Sequence, residues 1–344
     1  MTNLLILFGG ESNEHSISNI SAYNILNAIN KDKYNIIKIG ITCDGKWYIV
    51  DCPLEDIKTG SWVNYRKYEA IISPSKTHKG VIVIRNNTYD EIEIDVCFPI
   101  LHGANGEDGT IAALLKLAGI KCVTADFLSS AMAMDKKISK ILFQNANIPV
   151  VPAIAIDKSF DYDAILKNIS FPVFVKPANS GSSVGCSAVH TEAELMPALE
   201  NAFVVDDSIL IEKYIACREI ECAVMGDNDK IFVSAPGEIS SSSDFYDFDT
   251  KYVNTSSVKL DIPASIDENT KNTIMDYAKK AYIALGLSGL SRVDFFMDKN
   301  TNEIYINEIN TIPGFTSLSM FPLLMKNEGI EYQDLLDKLI ANAN

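Results

Sequence analysis

Residues 4–8, LLILF, run into Gly9-Gly10, and from there apolar residues recur at helical spacing through Ile17, Ile20, Ala22, Ile25, Leu26 and Ile29. So short and wholly apolar a run suits a buried strand, and the double glycine is a turn that swings the chain into the helix. Strand, glycine turn, helix is the opening of an α/β unit, and this start limits what can follow. Further β-rich runs at 36–41, 47–50, 81–84 and 92–100 lead to a helix over 110–118 that Gly119 can cap. The expectation for residues 1–123 is a mostly parallel sheet covered by helices.

The pattern changes beyond that point. A helix is expected over 130–145, Pro149 and Pro152 punctuate its exit, and strands at 173–176, 185–189 and 209–214 surround a helix at 192–202. This describes a small α+β lobe over 124–212. Residues 213–344 would form a third lobe, with strands at 219–225, 231–236, 291–297 and 303–308, helices at 268–285 and 332–341, and a long polar segment between. A chain of 344 residues exceeds what one core usually serves, so three lobes packed against one another are reasonable.

Composition narrows the partners. With 30 basic against 45 acidic residues the net charge is −15, which repels a nucleic-acid backbone or an anionic lipid surface. Seven scattered cysteines without a C-x-x-C pair argue against a disulfide framework or a thiolate zinc site. The amino terminus lacks the marks of a signal peptide, and no apolar run is long enough to span a bilayer. A soluble, cytoplasmic protein is expected.

Two segments carry the strongest chemical signal. In SRVDFFMD the period of two puts Arg292, Asp294 and Phe296 on one strand face, and in IYINEIN the same period joins Glu308 to Asn310. Asp294, Glu308 and Asn310 would then offer three oxygen donors from neighbouring strands, which suits a hard cation such as Mg²⁺. The alternative is a solvated hairpin face with Arg292 paired to an acid. Upstream, VFVKPANSGSSVG delivers Lys176 into a loop with Gly181 and Gly185, either a plain hairpin turn or a flap that closes over phosphate. In ILIEKYIACREIE, Glu212, Lys213, Ile215 and Glu219 suit either a nucleotide held between lobes or a surface ion pair. Neither G-x-x-x-x-G-K-[ST] nor G-x-G-x-x-G occurs, so a nucleotide site here must be of another design.

The ordered succession FGGESNEHSIS, LHGANGEDGT, SSAMAMDKKISK, FVKPANSGSSVG, LIEKYI, FYDFDTKY, RVDFF and NEINTIPGFTSLSM resembles the ATP-grasp D-alanine–D-alanine ligase family over nearly the whole chain. That resemblance implies a three-lobed ATP-grasp fold and the ATP-dependent joining of D-alanine to a second D-amino acid through an acyl phosphate, for peptidoglycan synthesis. It implies that Lys136 and Lys176 hold ATP phosphates under the 181–185 loop, that Glu212, Lys213, Ile215 and Glu219 bind adenosine with Phe296 against the base, and that Lys251 meets the γ-phosphate. Asp294, Glu308 and Asn310 would hold two Mg²⁺ (or Mn²⁺) ions. Glu14 and Ser182, the latter bonded to Tyr252 of a lid over about 240–256, would hold the first D-alanine, with His102 nearby. Arg292 and the Gly314 backbone N–H would stabilise the oxyanion, and Ser319 and Met320 would line the second subsite. Similar enzymes are commonly dimers, so a homodimer is expected. FYDFDTKY and Met320 resemble dipeptide-forming members, while PILHGANGEDGT and FDTKY are also similar to D-alanine–D-serine ligases of the vancomycin-resistance type, which leaves D-serine as the alternative second substrate. CVTAD at 122–126 and GTIAAL at 109–114 depart from the family's usual pattern.

Overall fold

The computed structural model describes residues 1–226, 230–241 and 258–343, and in it the strands assemble into three sheets. In the first, Thr2–Gly9 lies parallel to Tyr34–Ile41 on one side and to Val96–Ile100 on the other, and Lys121–Cys122 extends the parallel set. Leu4, Ile6 and Phe8 enter one apolar cluster and Leu5 and Leu7 another, so the run that opens the chain is covered on both faces. Trp47–Ile49, Tyr68–Ile72, Gly80–Arg85 and Thr88–Glu93 add antiparallel strands beyond Tyr34–Ile41. The sheet expected to be mostly parallel is therefore mixed. The helix His15–Ala28 links Thr2–Gly9 to its parallel neighbour Tyr34–Ile41 and Thr110–Ala118 links Val96–Ile100 to Lys121–Cys122, whereas the added strands follow one another in sequence as antiparallel neighbours, the link from Trp47–Ile49 to Tyr68–Ile72 passing through the helix Leu54–Lys58.

The second sheet is antiparallel throughout, in the order Ser187–Val189, Val173–Pro177, Ser208–Lys213, Ala153–Asp157. Val173, Val175, Ile209 and Ile211 pack with Leu195 and Leu199 of the helix Glu192–Val205, and the opposite face carries Lys176 and Glu212. The third sheet is built on Cys217–Gly226, Gly289–Asp298 and Ile304–Asn310, with Gly237–Ser241, Val258–Asp261 and Ile231–Val233 added. One of its faces, with Ile220, Cys222, Val293 and Phe295, is covered by the helix Glu268–Ala284. On the other, Ala223, Met225 and Leu290 join the cluster of Leu4, Phe8 and Phe98 through the helix Met320–Asn327. That core therefore unites the two ends of the chain.

The helix expected over 130–145 is two helices, Phe127–Met134 and Lys136–Asn145. Asp135 separates them with extended backbone, and its carboxylate accepts the N–H of Lys137 at 2.9 Å and of Ile138 at 3.2 Å, an N-cap that starts the second helix. The break turns the Lys136 backbone N–H to the Ala178 carbonyl at 3.1 Å, beside the glycine loop. The short helix Met320–Asn327, which contains Pro322, has no counterpart in the sequence-based expectation.

Candidate active site

The polar face of the third sheet forms by register. Asp294 lies opposite Glu308 and Arg292 opposite Asn310, while on the other side Glu221 faces Asp294 and Glu219 faces Phe296. A bulge between Asp294 and Phe295 leaves Asn307 as the extra residue, so that Ile306 pairs with Phe295 in the core while Glu308 keeps its place beside Asp294. Arg292 donates from Nε to Asp294 Oδ1 at 2.8 Å and from Nη2 to Asp294 Oδ2 at 2.7 Å, and Nε lies 2.9 Å from Glu221 Oε2. Asn310 Nδ2 donates to Asp294 Oδ2 at 2.8 Å.

Lysines approach from the second sheet and the preceding helix. Lys136 and Lys140 stand one helical turn apart on the same side of Lys136–Asn145. Lys136 Nζ donates to the Ser180 carbonyl at 2.7 Å and lies 3.2 Å from Glu308 Oε2. Lys140 Nζ is 2.7 Å and Lys176 Nζ 3.0 Å from the two oxygens of Glu212, and Lys176 also donates to Asn307 Oδ1 at 3.1 Å. The bulge residue thus ties the second sheet to the third. Burial alone would raise the Glu212 carboxyl, but Lys176 and Lys140 together outweigh it and hold it below its ordinary value. Burial pushes the Lys140 ammonium down, with Glu212 opposing. Burial acts in the same direction on Lys136, yet Glu308 and its neighbours carry that group above its usual value.

The glycine loop is the turn of an antiparallel hairpin between Val173–Pro177 and Ser187–Val189. Positive φ falls on Ser182, Ser183 and Gly185, the serines included, although side chains disfavour that region. Ser182 Oγ donates to Glu14 Oε1 at 2.6 Å, a contact that fastens this turn to the first lobe. A Cβ at Gly103 would lie 2.9 Å from Glu14 Oε2, so the HG element leaves room for that carboxylate. His102 is buried, with Nδ1 2.9 Å from the Ile312 carbonyl, Nε2 3.1 Å from Ser21 Oγ, and Glu107 at 3.9 Å. Burial favours neutral imidazole, but Glu107 and Glu14 outweigh it and raise the ring's affinity for a proton. In the 311–319 loop, Ser319 Oγ accepts the Thr316 N–H at 2.9 Å, and a Cβ at Gly314 would meet that oxygen at 2.6 Å.

The structure thus brings Lys136 to Glu308, Lys176 to Glu212 and Asn307, and Arg292 and Asn310 to Asp294, three groups that meet along the Ile304–Asn310 strand, and it joins Glu14 to Ser182. Glu219 and Phe296 lie side by side across a ladder. Lys213 is exposed, Ile215 half-buried, and Met320 lies in the core with its sulfur against Gly237. Lys251, Tyr252 and most of the expected lid lie outside the described residues. Glu221, Lys140, Asn307 and Glu107 are additional members. The period of two linking Glu219 to Glu221, and the four-residue step from Lys136 to Lys140, were the available signals for two of them. A bulge leaves no such trace.

Among the described residues no three His, Cys, Asp or Glu side chains form a metal cage. Asp294 and Glu308 do stand in register beside the Asn310 amide, each with a cation on its oxygens, and Cys222 lies in the core on the opposite face. This all-oxygen set fits a hard divalent ion that keeps water or phosphate oxygens in its remaining positions.

Comparison with known proteins settles the ancestry of this arrangement. Residues 3–125 match the model of the D-ala D-ala ligase N-terminus, and residues 142–341 that of the C-terminus. The chain belongs to the D-ala D-ala ligase family. It is 46% identical to a D-alanine–D-alanine ligase of Caldicellulosiruptor bescii, with 98% of this chain and 94% of the relative covered. A D-alanine–D-alanine ligase of Acetivibrio thermocellus is 45% identical with the same coverage. Among solved structures, the VanG D-Ala:D-Ser ligase from Enterococcus faecalis superimposes with a TM-score of 0.89 at 39% identity, covering 99% of this chain and 98% of that one. The D-alanine–D-alanine ligase from Coxiella burnetii gives 0.86 at 33% identity, covering 99% and 93%.

Proposed function

We propose that the protein joins D-alanine to a second D-alanine at the expense of ATP, forming ADP and phosphate through a D-alanyl phosphate and supplying the dipeptide for peptidoglycan. The observation that carries this reading is the in-register Asp294–Glu308 pair with Arg292 and Lys136 on its oxygens, in a chain with D-alanine–D-alanine ligase relatives over nearly its full length.

A free carboxylate is a poor electrophile because oxide would have to leave, so its oxygen must first be phosphorylated. Phosphoryl transfer depends on in-line placement and charge neutralisation. Lys136 and Lys176 bind the nucleotide phosphates beneath the 181–185 loop, and Lys251 meets the γ-phosphate. Lys136 now rests on Glu308 and the Ser180 carbonyl, and Lys176 on Glu212 and Asn307, so both ammonium groups are already oriented by acceptors. Glu212, Lys213, Ile215, Glu219 and Phe296 hold adenosine. Asp294, Glu308 and Asn310 would hold Mg²⁺ or Mn²⁺, two ions in all, which when bound would supply positive charge against the phosphates.

Glu14, fixed by Ser182, positions the first D-alanine ammonium, with His102 holding the wall behind it. The amine of the second substrate attacks the acyl carbon, the oxyanion rests on Arg292 and the Gly314 N–H, and phosphate departs. Ser319 faces the second subsite and Met320 supports it from the core. Tyr252 closes the lid and excludes water, which would otherwise hydrolyse the acyl phosphate. We place the enzyme in the cytoplasm as a homodimer. No described helix is long and apolar enough to cross a membrane.

A second reading, D-alanine–D-serine ligation, draws on the likeness to VanG. One hydroxyl separates the substrates, a difference a single side chain can set. Mass spectrometry of products formed from ATP with equal D-alanine, D-serine and D-lactate decides between them. Dominant D-alanyl-D-alanine is expected. Absence of any amino-acid-dependent ADP release would sink both.

A further inference from the structure

Glu221 is a buried carboxylate to which the reaction above assigns no task. It lies at the middle of the Cys217–Gly226 strand, 5% exposed and directly across the ladder from Asp294. Two acids facing each other across a ladder repel, and an ionised carboxylate buried without a partner is costly. Arg292, one pleat along the neighbouring strand, relieves both conditions. Its Nε stands 2.9 Å from Glu221 Oε2 and 2.8 Å from Asp294 Oδ1, and Nη2 reaches Asp294 Oδ2 at 2.7 Å.

One guanidinium therefore bridges two acids of different standing. Asp294 belongs to the oxygen set beside Glu308 and Asn310, and its two oxygens are the ones Arg292 now occupies. A cation held by Asp294 competes with Arg292 for them. Glu221 lies on the far side of Asp294 from Glu308, two strands from it, and its charge stands 2.9 Å from Nε, so the N–H now donated to Asp294 can pass to it in that exchange. Buried ion pairs add little stability over apolar residues of the same shape, so packing alone is a weak reason for an acid here.

We infer that Glu221 is a positioning residue for Arg292. It anchors the Nε edge of the guanidinium while Asp294 is given over to the metal, leaving the Nη edge aimed at the oxyanion. The inference rests on the oxyanion role proposed above for Arg292.

The test is chemical rescue. Arg292→Ala opens a guanidinium-sized space between Glu221 and Asp294. Turnover with ATP and D-alanine is measured for Glu221→Gln, Arg292→Ala and the double variant Arg292→Ala/Glu221→Gln, with and without guanidinium below denaturing concentration. Unfolding midpoints are recorded for the same proteins without metal or nucleotide. Glu221→Gln should lower kcat about tenfold or more with KM for ATP nearly unchanged, since the group acts on the transition state and not on nucleotide binding. Guanidinium should restore part of the turnover of Arg292→Ala and raise its unfolding midpoint, and should do neither in the double variant. That variant lacks both charges, so the comparison holds even if Glu221→Gln folds poorly. Wild-type kcat in Glu221→Gln, or equal rescue in the single and double variants, overturns the role of Glu221 while leaving the ligase reading intact. Wild-type turnover in Arg292→Ala removes the oxyanion role, and the inference falls with it.

Discussion

Glu212 is where the loss of a single charge should be felt most. Its carboxylate is 2% exposed, with Lys140 Nζ at 2.7 Å and Lys176 Nζ at 3.0 Å. At an effective dielectric of about 20, each contact represents roughly 6 kcal/mol of attraction before desolvation of the groups is set against it. Glu212→Gln preserves volume and leaves two buried ammonium groups facing each other without a counter-charge. Removing one partner of a buried ion pair costs about 3–5 kcal/mol. For 344 residues the unfolding entropy is about 0.7 kcal/mol per kelvin, so the midpoint should fall by about 4–7 °C if the chain unfolds as one, and further if this lobe melts separately. Calorimetry without nucleotide at neutral pH reads the shift. Lys140→Met, which leaves the Glu212–Lys176 contact in place, should lose less, and the double variant should recover part of the Glu212→Gln loss. The pH dependence gives a second check. The carboxyl is held below its ordinary value of 4.5, so its contribution is present above that pH and lost as pH falls through the lower folded value. The gap between wild type and Glu212→Gln should close in that acid range. A neutral-pH midpoint within about 1 °C of wild type would refute the reasoning, since that shift corresponds to under about 1 kcal/mol.

Other expectations follow from the same contacts. The His102 imidazole is raised above 6.5, so the stability it adds is complete below that pH and fades as pH rises through the folded value. Thermal unfolding of wild type and His102→Gln across pH 6–9 should show a gap that narrows on the alkaline side, and a constant gap would count against the assigned partners. Gly314→Ala places a methyl 2.6 Å from Ser319 Oγ, so either that hydroxyl leaves the Thr316 N–H or the loop shifts. It should lower kcat about tenfold or more, as loss of an oxyanion donor does, with little change in the unfolding midpoint. Tyr252→Phe should raise ATP hydrolysis relative to dipeptide formed, measured as the ratio of phosphate to product; a wild-type ratio would remove the lid role.

Much of this protein is legible along the chain because its information is local. Alternation in RVDFF and NEIN assigns Arg292, Asp294, Glu308 and Asn310 to strand faces, and Gly119 marks the end of Thr110–Ala118. Period and turn chemistry need no knowledge of neighbours. The ordered motifs likewise identify the family, since several specific spacings must agree at once. What needed the tertiary structure depends on which strand lies beside which. The pairing of Glu221 with Asp294, the bulge that offers Asn307 to Lys176, and the break at Asp135 that brings Lys136 to the glycine loop all rest on contacts between distant segments. The first sheet is mixed for the same reason: a strand's own residues fix its faces, while the length of its connection and the room beside it fix its direction. Charge compensation is settled last, because a buried acid such as Glu212 gives no sign in sequence of the two lysines that hold it.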